Sequence, residues 1–239
     1  MIVTIHQPES LPWTGFFHKM ICADLYVYLD HVQYRKNYVQ NRNKIVKNQG
    51  KVGWATIPVQ KKGGVSESIM GKKIVHGYSK KFISLIESSY RNEKYFDKYF
   101  DKLNFILKKE HRYLVDLNLE LIDFFREALN ITTPTVRSSA LNITSSKSKM
   151  ILDICVNLDA TDYIAGPLGL DYLDKDSFKD HSIKLLVHNY ISPLYQDIYC
   201  LTNSSNNLYP NLSTLDLLFK NGESSRQIIL NSGSISKHG

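Results

Sequence analysis

The sequence predicts an α/β protein with a mostly parallel sheet flanked by helices and a helical segment inserted near residues 79–130. Three observations carry that prediction. A short β-prone run, Ile2 to His6, ends at Gln7-Pro8 and gives way to a run that turns helical from about Trp13 to Ala23. Asp24-Leu25-Tyr26-Val27-Tyr28-Leu29-Asp30 is near-continuous in apolar and aromatic residues, the texture of a strand covered on both faces by helices. Beyond residue 130, strand-type and helix-type stretches alternate again. The β-α-β opening, with the right-handed crossover of such units, makes the expected sheet Rossmann-like.

The remaining elements follow in order. Val32 to Gln49 keeps no clean period and is rich in amides, bases and tyrosines, so it reads as a functional loop with one helical turn. Trp54 to Val59 reads as a strand, Gly63-Gly64 as a turn, and the stretch to Gly77 as a further strand or a mobile insertion. From Ser79 to Lys109, apolar residues such as Phe82, Ile86, Tyr90, Phe96, Leu103 and Leu107 recur at three-or-four spacing, giving one or two amphipathic helices. Tyr113 to Leu129 gives another, and Thr132 to Val136 switches to a strand through Pro134 and β-branching. Ser145 or Ser146 caps a helix from Lys147 to Leu158, and Asp162 to Gly166 is the next strand. Gly166-Pro167-Leu168-Gly169 makes a tight turn, a short helix starts at Asp171-Tyr172-Leu173, and Ile183 to Tyr190 is β-type. Thr202 to Asn211 is a Ser/Asn-rich surface loop, and Ser213 caps a helix over Thr214 to Asn221 that closes at Gly222. Residues 1–230 are expected to form a single domain, with 231–239 a flexible tail.

Composition narrows the function classes. At 43% apolar and 11% aromatic, 239 residues can build a sizeable core. The net charge of +7 suits phosphate-bearing partners, and its excess is concentrated in Arg35, Lys36, Arg42, Lys44, Lys47 and Lys51, continued by lysines between 61 and 81. Cys22, Cys155 and Cys200 are odd in number, far apart and in no C-x-x-C pair, which argues against a disulfide framework or zinc site and for a reducing, cytoplasmic setting. No stretch approaches the ~18 uninterrupted apolar residues of a membrane span, so membrane insertion is not expected.

The candidate chemistry gathers at strand ends. His6 and Gln7 stand at the carboxyl end of the first strand, where open α/β sheets bind ligands. A strand-end histidine can serve as a general base or can simply be hydrogen-bonded there. Trp13 and Gly15 lie where a helix begins, Trp13 suited to stack on a base or sugar and Gly15 to admit a ligand or backbone closely, with Lys19 one turn on. Asp30, Tyr34, Lys36, Asn41, Arg42 and Asn43 put an acid, amides and cations within fifteen residues, a set that grips phosphate and orients hydroxyls. Asp171 and Tyr172 follow the Gly-Pro-Leu-Gly turn, and Asp216 lies in the last helix; a capped turn with a structural carboxylate is the plainer alternative. No H-x-E or H-E-x-x-H spacing points to a metal.

The strings Ile5-His6-Gln7-Pro8, Leu11-Pro12-Trp13, Gly15-Phe16-Phe17, Leu29-Asp30-His31-Val32-Gln33-Tyr34 and Asn41-Arg42-Asn43 resemble the opening of the WbqC-like family. The resemblance continues through Tyr163-Ile164-Ala165-Gly166, Asp171-Tyr172-Leu173, Tyr195 and Leu215-Asp216-Leu217-Leu218, covering nearly the whole chain. It implies a bacterial protein of O-antigen, lipopolysaccharide or other surface polysaccharide synthesis, where nucleotide-linked amino sugars are made and decorated. Relatives often have a second acid where this chain has His31, which weakens a paired-carboxylate role there. A weaker architectural likeness is to nucleotidylyltransferases with an H-x-G-H signature, but Trp13-Thr14-Gly15-Phe16 lacks both histidines.

The expectation is therefore an N-acyl- or N-aminoacyltransferase acting on a nucleotide-linked amino sugar. His6 would accept the proton of the attacking amine, Gln7, Asn41 and Asn43 would orient the acyl carbonyl, and Asp30 would join this catalytic set. Lys19, Lys36 and Arg42 would hold phosphates, and Trp13 or Tyr34 would stack. The donor would be acyl-CoA, aminoacyl-tRNA, or ATP plus an acid. The rivals are nucleotidyl transfer or ATP-dependent ligation in the same pathway, and a basic RNA-binding module.

Overall fold

A computed structural model describes residues 1–47, 50–61, 67–109, 111–166, 169–195 and 211–237. Eight strands are described: β1 Ile2–His6, β2 Leu25–Tyr28, β3 Arg42–Val46, β4 Val52–Thr56, β5 Thr135–Arg137, β6 Asp162–Ala165, β7 Lys184–Tyr190 and β8 Gly233–Lys237. The helices are α1 Thr14–Ile21, α2 Tyr78–Tyr90, α3 Phe96–Lys108, α4 Leu114–Ala128, α5 Lys147–Asn157, α6 Lys175–Asp180, α7 Thr214–Asn221 and α8 Ser225–Leu230.

Six strands form one sheet in the order β5-β2-β1-β6-β7-β8. All neighbours are parallel except β7 and β8. Numbered within the sheet along the chain, the order is 3-2-1-4-5-6, that of dinucleotide-binding folds, and it reverses direction between β1 and β6. The α/β, Rossmann-like expectation therefore holds. Because side chains alternate across a strand, Val3 and Ile5 of β1 join Val27 in a core with α5 and α6, while Tyr26 and Tyr28 face α1 and α4 in the other. Both faces are covered, which is why β2 reads as unbroken apolar sequence. Phe16, Phe17 and Met20 of α1 are at most 1% exposed. Each such side chain contributes roughly 2–3 kcal/mol of burial.

The structure corrects several boundaries. The expected loop over 32–49 contains β3, which pairs antiparallel with β4 in a hairpin separate from the main sheet. Its alternation is present, with Asn43 and Ile45 turned inward, but an inward asparagine hides it from a hydrophobic pattern. Among the described residues, the stretch 67–77 supplies isolated bridges, Gln33 to Ser68, Val59 to Ile74 and Lys73 to Tyr113, rather than a strand. The 79–109 run is two helices, α2 and α3. The helix expected at 171–173 begins later, at Lys175, where Asp174 accepts from the Ser177 amide as N-cap.

The tail expected to be flexible instead places 233–237 on β7 as an edge strand. Backbone pairing to an open edge needs few apolar side chains, and Ile235 packs against the Ile164 and Leu186 cluster. The turn at Pro167-Leu168, the Gly63-Gly64 turn, most of the 202–211 loop and Cys200 lie outside the described residues. Among the described residues no helix is long and apolar enough to cross a membrane.

Candidate functional site

The register brings three residues to one level at the reversal point. Thr4 pairs with Ile164 and Ala165 with Val187, so continuing each ladder aligns His6, Gly166 and His188 across the carboxyl edge of β1, β6 and β7. Among the described residues, a Cβ at Gly166 would meet nothing within 4 Å. The row therefore has an open gap between two histidines, at the place where such sheets bind ligands.

His6 is held in one tautomer. Its Nδ1 lies 3.0 Å from the Gln7 carbonyl oxygen. A carbonyl only accepts, so Nδ1 carries the proton and Nε2 keeps its lone pair. The ring meets Phe16 edge-on at 5.3 Å, while its side chain remains 32% exposed. Burial of the rest of the ring, and then the cation of Lys19, pull its pKa down to about 4. At neutral pH His6 is uncharged and able to accept a proton.

Behind it lies a buried polar layer. Glu9 is 2% exposed, with Oε1 3.7 Å from His6 Nδ1, and burial pushes its carboxyl up to about 8. Its Oε2 has no hydrogen-bond partner among the described residues. Lys19 donates to the Ile5 carbonyl at 3.2 Å, and burial lowers its ammonium to about 8. Expected as a phosphate ligand, Lys19 is instead 5% exposed beneath β1, where it shapes the charge of His6. His188 shares a hydrogen bond of 2.9 Å with His18, and burial first, then Lys19, His18 and His6, lower it to about 3.

An amide network joins the strand end to the loop after β2. Gln40 donates through Nε2 to Gln7 Oε1 at 2.6 Å and accepts through Oε1 from the Arg35 amide at 2.7 Å. Asn118 of α4 donates to the Pro8 and Gln40 carbonyls at 3.2 and 2.7 Å, and the Ser10 amide donates to Val39 at 3.0 Å. Segments 6–10 and 38–41 are thereby sewn together, leaving Gln7 Nε2 uncommitted among the described residues.

The other predicted residues divide. Tyr172 is 58% exposed, and burial followed by the neighbouring Tyr38 phenol raises its pKa, so the loop after β6 meets the loop after β2. Asp171 and Lys36 are exposed. Asp30 accepts from Arg137 Nε at 2.5 Å, Ser138 Oγ at 3.0 Å, and the Ser139 amide and hydroxyl at 2.9 and 2.8 Å. Burial opposes its charge, but the Arg137 and Ser139 bonds outweigh it and hold its pKa below the usual value. It is fully buried with its carboxylate taken up by these donors, so it latches β2 to the segment after β5.

Asp216 is sealed in α7, accepting from Tyr195 at 2.5 Å with Lys220 3.4 Å away, and cannot touch a substrate. Asn41 donates to the Ile57 carbonyl at 2.8 Å and Asn43 accepts from the Lys44 amide at 2.9 Å. Their remaining polar atoms are buried without partners among the described residues. The room above Gly15 is filled by Trp13, whose ring would lie 2.2 Å from an added Cβ. Trp13 packs edge-on to Tyr190 at 5.4 Å, so it anchors the helix start rather than offering a free stacking face. Tyr34 is covered by Lys72, 5.0 Å from its ring. Arg42 lies over Trp54 at 4.2 Å, on the outside of the hairpin.

Sequence reasoning missed Glu9, Gln40, Asn118 and His188. Asn118 had a signal, since it occupies an inward position between Leu114 and Leu121 on an otherwise apolar face of α4. A cavity of about 470 Å³ between Gly77, Lys108 and Arg112 lies at the helical insertion, and none of the predicted residues lines it. Among the described residues no three His, Cys, Asp or Glu side chains cluster as a metal site.

The chain matches the model of the WbqC-like protein family over residues 7–228. It is 30% identical, over 223 residues, to a Mycobacterium tuberculosis (strain ATCC 25618 / H37Rv) protein described as uncharacterized protein Rv1507c, covering 92% of this chain and 94% of that one. No solved structure matches. With the family model spanning residues 7–228, from Gln7 and its amide network through the last helices, the chain belongs to the WbqC-like family.

Proposed function

We propose that the protein transfers an acyl or aminoacyl group to the amino group of a nucleotide-linked sugar, at the open edge between β1 and β6. The observation that carries this reading is the neutral His6, with its Nε2 lone pair free beside the gap at Gly166. The amine attacks the activated acyl carbon, and the N–H proton of the tetrahedral adduct passes to His6 Nε2 as the leaving group departs. A weakly basic imidazole suffices for that adduct, whose ammonium is far more acidic than a free one. Gln7 Nε2, freed by the Gln40 bond to its oxygen, is the donor available to the developing oxyanion. Exposed Tyr172 and Tyr38 offer faces for the base or sugar, and Arg35 and Lys36 offer charge for the diphosphate. Surface polysaccharide synthesis, the setting implied by the family resemblance, supplies such sugars.

The test is incubation of the purified protein with nucleotide-linked amino sugars and each donor class, acyl-CoA, aminoacyl-tRNA, or ATP plus an acid, read by mass spectrometry. A mass gain of one acyl group supports the reading, and His6→Gln is expected to slow it by about 10²–10⁴. Pyrophosphate release without an acylated sugar would move the reading to nucleotidyl transfer. Absence of both binding and acylation with every sugar would end it.

A further inference from the structure

Between Asp30 and Glu67 the chain has no acidic residue and eight cations, Arg35, Lys36, Arg42, Lys44, Lys47, Lys51, Lys61 and Lys62. The rest of the chain holds 22 cations against 23 acids, so the whole positive excess belongs to this segment. Folding makes much of it one face. The β3–β4 hairpin turns Asn43, Ile45 and Ala55 inward and presents Arg42, Lys44 and Trp54 outward, with Lys44 directly across from Trp54.

Trp54 is 40% exposed, with the Arg42 guanidinium 4.2 Å and the Lys44 ammonium 5.9 Å from its ring. Toward the strand ends, Tyr38 is 41% exposed with the Arg35 guanidinium 4.5 Å from its ring. Among the described residues, none of Arg35, Lys36, Arg42, Lys44, Lys47 and Lys51 is ion-paired to a carboxylate. The charge is uncompensated, and it alternates with aromatic faces that are left in water.

We propose that this face binds single-stranded nucleic acid, bases stacking on Trp54 and Tyr38 while Lys36, Arg42, Lys44 and Lys47 follow the phosphates. Two features select that ligand. An acidic peptide or an anionic membrane would use the charge, whereas successive unpaired bases joined by phosphates also use the two flat rings framed by cations. A duplex keeps its bases stacked and offers these side chains only its backbone. The Gln40 to Gln7 and Ser10 to Val39 bonds tie the foot of this face to the His6 loop, so a strand lying along it leads to the open edge. The inference stands on the hairpin and the loop that leads into it, and does not depend on acyl transfer.

The test is fluorescence anisotropy with labelled single-stranded RNA and DNA 12-mers of one sequence, the matching duplex, and inorganic polyphosphate, across a salt series. Either single strand is expected to bind at least tenfold more tightly than duplex or polyphosphate, the RNA-to-DNA ratio naming the source. Trp54→Ala is expected to weaken binding about tenfold, with Trp54→Tyr restoring most of it. Lys44→Ala is expected to reduce the slope of log K against log salt by about 0.7. In a Trp13→Phe background, Trp54 is the sole tryptophan and its emission should change on binding. Unchanged affinity in the folded Trp54→Ala and Lys44→Ala variants, or equal binding of polyphosphate, would overturn the proposal.

Discussion

Gln40 donates to the side-chain oxygen of Gln7 at 2.6 Å, joining the loop after β2 to the end of β1. Gln40 is fully buried, and Asn118 holds the backbone on both sides of the bond. The strand end is thus framed by side-chain amides rather than by regular backbone pairing, and its geometry depends on a helix from the insertion.

Asn118→Leu leaves the Pro8 and Gln40 carbonyls buried without their donor. The expected cost is about 2–4 kcal/mol, read as a lower urea midpoint. Hydrogen exchange at the Ser10 amide, which bonds Val39, should accelerate beyond the global change. Unchanged exchange there would mean the loop is held by something else.

Glu9 gives a pH signature of known sign. Its folded pKa is about 8 against an ordinary 4.5. Between those values the unfolded chain has released the proton while the folded one keeps it, so stability falls as pH rises through that window. Glu9→Gln removes the titration. The variant should gain on the wild type from pH 5 to 8, seen as diverging denaturation midpoints; parallel curves would contradict a buried, protonated Glu9.

Gly15→Ala drives a methyl into the Trp13 ring and is expected to cost about 1–3 kcal/mol. In a Trp13→Ala background the three atoms nearest the added methyl are gone, and the same change should be neutral or favourable, as alanine is in a helix. A coupling of at least ~1 kcal/mol in the double-mutant cycle measures that packing. Additive effects would show that Gly15 serves another contact.

Asp30→Asn tests a latch. Losing the charged acceptor of Arg137 and Ser139 should cost about 2–4 kcal/mol at pH 7. Because the folded pKa of Asp30 lies below the ordinary 3.8, its stabilisation is present above that value and lost as pH falls through the folded one. The gap between variant and wild type should therefore close in acid. Folded variant should still bind and acylate a nucleotide-linked sugar, an outcome that a catalytic or ligand-binding Asp30 would not allow.

Much of the sheet could be read from residue patterns because β1, β2, β6 and β7 are short apolar runs between turn signals. β3 escaped because an inward Asn43 breaks the hydrophobic alternation, and β8 because an edge strand pairs through backbone while its side chains stay polar. At the site, His6, Gln7 and Tyr172 were legible from their place at strand ends. Glu9 was not, since a glutamate between two prolines reads as solvated until packing buries it. His188 reached the same row only through the register of β6 with β7, a long-range relation that no local spacing encodes. Asp30 and Asp216 were legible as unusual acids, but whether an acid faces a ligand or a ring of donors depends on residues more than a hundred and about twenty positions away, respectively.

The most direct test is a crystal structure with a nucleotide-linked amino sugar bound. The sugar amino nitrogen should lie about 3 Å from His6 Nε2, in the gap beside Gly166. A ligand seated in the cavity between Gly77 and Arg112, with His6 untouched, would contradict the account.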